Sequence, residues 1–192
     1  MAAEKGSRVS VFVGVSLDGF IAREDGDFAW LEQATDAKAD YGFDAFFAGI
    51  DALVMGRNTF DIMARFPTWY YGNKPVIVLT HRPLDQRAKL PPTVETMSGE
   101  PSEIKVRLAE RGLHRLYVDG GQTIQAFLRA GLVDEITVSR LPILIGRGIP
   151  LFGPLPGDLH LRHVGTRTFP GGMIQSAYEV ARGPPNPPQK VR

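Results

Sequence analysis

Asp51-Ala-Leu-Val-Met-Gly-Arg-Asn-Thr-Phe60 decides how this chain is read. Ala52 to Met55 is a short apolar run closed by a glycine, the pattern of a buried strand. At Gly56 the run gives way to Arg57-Asn58-Thr59, a polar helix opening. A strand that ends in glycine and turns into a helix presents free backbone N–H groups at the positive end of a helix dipole, where anions bind. Arg57 adds a planar, permanently charged fork that suits phosphate oxygens. A second segment of the same design, Tyr117-Val-Asp-Gly-Gly-Gln-Thr-Ile124, points to a ligand with phosphates at both ends of one cleft.

The rest of the chain supplies a setting for these two turns. Val9 to Val15 reads as a first strand closed by Ser16-Leu17-Asp18-Gly19, and Phe20 to Asp27 as a surface loop. Aromatic spacing predicts a helix over Asp40 to Ile50, capped by Asp40. Strands follow at Ala52 to Met55, Val76 to Leu79, Thr93 to Met97, Arg115 to Val118 and Glu135 to Leu141. Helices are expected from Asn58 to about Arg65, Ser102 to Arg111 and Thr123 to Ala130, the last ended by Gly131. Leu159 to Thr168 and Met173 to Val180 form a terminal hairpin. Strands alternating with helices, then strands alone, predict an α/β fold: a mostly parallel central sheet flanked by helices with an antiparallel C-terminal hairpin. The expected organisation is an extension over residues 1–8, one domain over 9–181 and a Pro-rich tail over 182–192.

Composition excludes several functions. A net charge of +1 without a basic stripe gives no footprint for nucleic acid. No cysteine is present, which removes disulfides, thiolate metal sites and cysteine nucleophiles. No run approaches the ~20 apolar residues of a membrane span, and the first residues lack a signal-peptide core, so a soluble, cytoplasmic protein is expected. His160 and His163 are one His-x-x-His pair in a region read as strand, and no metal site is assigned there.

In a parallel sheet three strand ends converge: Gly56-Arg57-Asn58-Thr59, Thr80-His81-Arg82 and Gly120-Gly121-Gln122-Thr123. The first two offer arginines and hydroxyls for a phosphate monoester such as the 2′-phosphate of NADP. The third offers bare backbone at a helix start, suited to a pyrophosphate. Singly, each reads better as an ordinary tight turn beside a solvated arginine; their common placement favours a ligand. For proton chemistry the candidates are Asp18, Asp40 and Asp44. The structural alternatives are an N-cap at Asp40 and a solvated Asp44.

Six segments in order carry a family resemblance: Val15-Ser-Leu-Asp-Gly-Phe-Ile-Ala22, Asp40-Tyr-Gly-Phe-Asp44, Val54-Met-Gly-Arg-Asn-Thr-Phe60, Val76-Ile-Val-Leu-Thr80, Tyr117-Val-Asp-Gly-Gly121 and Leu141-Pro-Ile-Leu-Ile-Gly-Arg-Gly-Ile-Pro-Leu-Phe152. The chain resembles the dihydrofolate-reductase-like superfold, in the branch of the RibD C-terminal domain, the riboflavin-biosynthesis reductase. The resemblance implies a reductase that binds NADPH and delivers hydride to a heterocyclic small molecule. It implies that Gly56, Arg57, Thr59, Thr80, His81 and Arg82 surround the 2′-phosphate, and that Gly120, Gly121, Gln122, Thr123 and Ile124 hold the pyrophosphate. Gly14 and Ile21 would flank the nicotinamide, Asp40 would hold or protonate the substrate ring, and Gly146 to Phe152 would line the substrate side. Ser16, Asp18, Trp30, Asp44, Ile149 and Phe152 complete the expected substrate contacts, with Trp30 as a lid. A homodimer is also implied. Tyr41-Gly-Phe-Asp44 and Met63-Ala-Arg-Phe-Pro67 replace the family's usual elements on either side of the Gly-Arg-x-Thr turn, which leaves three substrate options: a ribosylaminopyrimidine, dihydrofolate, or another small molecule. The rival from another class is a non-catalytic nucleotide-binding module of the same fold.

Overall fold

The computed structural model describes residues 6–33, 35, 39–84 and 91–182. In chain order the elements are β1 (Arg8–Val15), β2 (Phe20–Ala22), α1 (Ala29–Gln33), α2 (Phe43–Ala48), β3 (Ala52–Gly56), α3 (Arg57–Met63), β4 (Val76–Leu79) and β5 (Val94–Met97). They continue with α4 (Pro101–Glu110), β6 (Arg115–Asp119), α5 (Gly121–Arg129), β7 (Glu135–Arg140), β8 (Ile149–Pro150), β9 (Leu161–Thr168) and β10 (Ile174–Val180). The tail beyond Arg182 and residues 1–5 lie outside the described residues.

Eight strands form one sheet in the order β5-β4-β3-β6-β1-β7-β10-β9. Neighbours from β5 to β7 run parallel, and β10 is antiparallel to both β7 and β9. The expected mostly parallel sheet with an antiparallel end is therefore what forms. Its central strands are apolar on both faces because helices cover both. Val9, Val11, Val13 and Val15 pack with Leu116 and Val118 against Ile104 and Leu108 of α4 and Ile124 and Phe127 of α5. Leu53, Met55 and Tyr117 point the other way, toward Phe60 of α3 and the aromatic side chains of α2.

Helix ends follow local chemistry. Helix α4 starts at Pro101 rather than Ser102, since proline needs no amide partner there, and Glu103 accepts a hydrogen bond from the Glu100 N–H at 3.2 Å. Helix α5 ends through Gly131 at φ 65°, with the Leu132 N–H donating to Phe127 O at 3.0 Å.

Two expectations are corrected. Helix α2 is shorter than Asp40 to Ile50: Gly42, at φ 84°, breaks the chain just before Phe43. Asp40 instead accepts the Gly42 N–H at 2.7 Å, closing a turn ahead of the helix. The segment after Gly19 is not all loop, because Phe20–Ala22 pairs with Ile149–Pro150 in a separate two-stranded ribbon. Among the described residues no helix is long and apolar enough to cross a membrane.

Candidate active site

Parallel pairing brings the carboxyl ends of β1, β3, β4 and β6 side by side, and the two glycine turns interlock there. A Cβ on Gly56 would lie 2.9 Å from Thr123 Oγ1, and one on Gly120 would lie 2.2 Å from Thr59 Oγ1. Glycine at both positions lets the starts of α3 and α5 touch, each threonine filling the place of the other turn's missing side chain. Gly120 adopts φ 87° and ψ 134°, close to a region reserved for glycine. The first intrahelical bond of α5 runs from the Ile124 N–H to Gly120 O at 2.9 Å, so the amides of Gly121, Gln122 and Thr123 are not used by the helix itself.

The ribbon closes over this turn. A Cβ on Gly121 would meet Ile149 Cγ2 at 2.9 Å, Ile21 Cδ1 at 3.0 Å and Pro150 O at 3.3 Å. Gln125 donates to Pro150 O at 2.9 Å and fixes the ribbon to α5. Ile21, Gly56, Thr59, Gly120, Gly121, Thr123 and Ile149 are thus gathered into one place. Gln122 is exposed beside them, and Phe152 is half exposed. Ile124 is fully buried in the core, and only its backbone belongs to the turn.

Arg57 leans from α3 toward the loop after β4. Its Nε donates to both Asp61 oxygens, at 2.7 and 2.9 Å, and its Nη1 donates to Pro83 O at 3.0 Å. Thr80 closes that loop by accepting the Arg82 N–H at 3.0 Å, leaving His81 and Arg82 exposed. The fork read as suited to phosphate is thus already paired with Asp61 and Pro83, and it links α3 to the loop after β4.

The other expected residues have different surroundings. Trp30 is buried against Leu141 and Met173, with no partner for its indole N–H among the described residues, so it is a core side chain and not a lid. Its neighbour Leu31 covers Gly14, where an added Cβ would lie 2.5 Å from Leu31 Cδ1. Ser16 is buried, and its hydroxyl accepts the Phe20 N–H at 3.0 Å. Asp18 accepts the amides of Gly146 at 2.8 Å and Ile145 at 3.3 Å. The Ser16 hydroxyl and these amides hold its carboxyl below the usual range. Both residues shape the approach of the 143–148 loop. Asp40 and Asp44 are exposed around the start of α2.

One carboxylate at the strand ends was passed over by sequence reading. Asp119 closes β6 beside the glycine turn, and its Oδ1 accepts the Gly120 N–H at 2.8 Å. Burial pushes its carboxyl up despite that bond. Two phenols feel its charge: burial first, and then the Asp119 charge, raise both Tyr71 and Tyr117. Tyr117 donates to Phe12 O at 2.9 Å, while Tyr71 meets Trp69 edge-on at 5.1 Å. A half-buried carboxyl whose protonated form is favoured by desolvation is suited to hold a proton or hydrogen-bond a ring. The available signal was a lone acid ending an otherwise apolar strand. Two open clefts of the surface are one of about 470 Å³ beside Arg23 and Gly146, at the start of the Gly146 to Phe152 segment, and one of about 300 Å³ beside Arg8 and Asp134.

Residues 7–175 match the RibD C-terminal domain. The chain is 29% identical to the uncharacterized protein YwjB of Bacillus subtilis over 170 residues, 88% of this chain and 95% of that one. Its fold is similar to the crystal structure of a putative riboflavin biosynthesis protein from Shewanella sp. PV-4, with TM-score 0.85 and 37% identity, covering 91% of this chain and 99% of that chain. A dihydrofolate reductase from Enterococcus faecalis complexed with NADP(H) shares the fold at TM-score 0.64 and 17% identity, covering 91% of this chain and 97% of that chain.

Proposed function

The chain belongs to the RibD C-terminal domain family, and we propose that within it this protein is an NADPH-dependent reductase acting on a heterocycle of the 5-amino-6-(5-phosphoribosylamino)uracil kind. The observation that carries this is the interlocked pair of glycine turns with Asp119 beside them at the parallel strand ends. The site fits a phosphorylated dinucleotide. Amides of Gly121, Gln122 and Thr123 would hold the pyrophosphate. Arg57, Thr80 and Arg82 would hold the 2′-phosphate. When bound, the reduced nicotinamide supplies the hydride.

The chain supplies the remainder. Ile21 and Ile149 pack over the Cα of Gly121 and wall one side of that turn. Asp119, and not the exposed Asp40, is the carboxyl whose surroundings favour holding a proton against a substrate ring. A small heterocyclic substrate is the partner this arrangement suits.

The test is NADPH oxidation with 5-amino-6-(5-phosphoribosylamino)uracil and with dihydrofolate, alongside calorimetric NADPH binding. Turnover of the first supports the assignment. Turnover of dihydrofolate alone moves the substrate to the pterin class, and binding without turnover of either identifies a non-catalytic module. Asp119→Asn is expected to lower kcat about 100-fold or more, with Asp40→Asn within a fewfold of the parent.

A further inference from the structure

We propose that Asp61 sets how strongly this site prefers a 2′-phosphorylated dinucleotide over its unphosphorylated counterpart, by neutralising Arg57 across one turn of α3. The inference rests on the cofactor reading above and concerns the cation meant to receive the extra phosphate.

Arg57 is not a bare guanidinium. Both oxygens of Asp61 engage its Nε, at 2.7 and 2.9 Å, and Pro83 O engages its Nη1 at 3.0 Å. The side chains keep 22% and 42% of their exposure, so the pair lies at the rim of the site. Among the described residues, the edge bearing Nη2 is left for an incoming anion. Asp61 therefore does two things of opposite sign: it orients the fork, and it cancels the charge that the fork presents.

Magnitude decides between them. Orientation is shared with Pro83 O, which holds the far end of the guanidinium to the loop of Thr80 and Arg82. An ion pair this exposed, spaced four residues apart on a helix, adds little to holding a side chain in place. The charge effect is not shared: a full negative unit lies at contact distance from the group that would face a phosphate dianion. Removing it leaves the geometry largely in place and restores a net positive charge. The loss of Asp61 should tighten binding of a 2′-phosphate and leave an adenosine without one unaffected.

The experiment compares adenosine 2′,5′-bisphosphate with 5′-AMP by calorimetry on the full chain and on Asp61→Asn. The expected result is a gain of roughly five- to tenfold for the bisphosphate, no more than about twofold for 5′-AMP, and a steeper loss of bisphosphate affinity with salt. Unchanged or weaker bisphosphate binding overturns the proposal, as does an equal gain for both ligands. Asp61→Ser, neutral and shorter, is the second variant; if neither variant gives a folded protein by circular dichroism, Asp61 is a structural residue and the proposal is wrong. Parent protein that binds neither nucleotide refutes the cofactor reading and the inference together. A parent that binds both, with affinities unmoved in the variants, refutes the inference alone.

Discussion

Burial holds the Asp119 carboxyl above its ordinary value of 3.8, and the consequence for stability has a definite sign. Between 3.8 and the raised value the native state binds more protons than the unfolded chain, so stability falls as pH rises through that window. Asp119→Asn removes the titration. Urea melts should show the variant more stable than the parent at pH 7, with the difference gone below about pH 3.8. Beside it, Gly120 is constrained twice: by its φ of 87° and by Thr59 Oγ1, 2.2 Å from where a Cβ would lie. Gly120→Ala should cost about 1–3 kcal/mol from backbone strain alone, and more from the clash. Adding Thr59→Ala should recover only the clash, readable in the same melts. Arg57 and Gly120 could be singled out from sequence because charge and glycine are visible there. Asp61 as the partner of Arg57, and Asp119 as a desolvated acid, depend on which way side chains point and what covers them.

At the scale of elements, the legible pieces were those whose signals are local. Val76–Leu79 is a strand as its apolar run predicts, and α5 buries Ile124, Phe127 and Leu128 at helical spacing. The β2–β8 ribbon was not legible, since Phe20–Ala22 is a strand only because Ile149 and Pro150 come to it from far along the chain. Asp18 helps hold that approach through the amides of Ile145 and Gly146. Asp18→Asn should accelerate amide hydrogen exchange at Gly146 near pH 7 while leaving exchange in β1 unchanged; equal protection in both proteins would show that the ribbon holds the loop without the carboxylate. The contribution of Asp18 is present above its ordinary 3.8 and is lost as pH falls through the lowered folded value. Trp30 was misread at this scale. An indole between a loop and a helix looks like a lid in sequence, but α1 turns it inward onto Leu141 and Met173.

The whole molecule depends on both faces of the sheet being covered. Phe127 is fully buried in the core beneath α5, which packs on β3 and β6, and Phe127→Ala should cost about 3–5 kcal/mol, measured by denaturant unfolding. The order of strands and helices was readable because periodicity and glycine breaks are properties of neighbouring residues. From it followed the α/β class, the parallel sheet, and the expectation that ligands lie beyond the strand ends. The sequence alone also placed Gly56 and Gly120-Gly121 at those ends. Only the tertiary structure decided that the two turns interlock through Thr59 and Thr123, that Arg57 reaches the loop after β4 at Pro83, and that the half-buried Asp119 beside them has its carboxyl raised. Those facts depend on contacts between segments well separated along the chain, and on desolvation of a carboxyl by the surrounding fold. No local pattern encodes either.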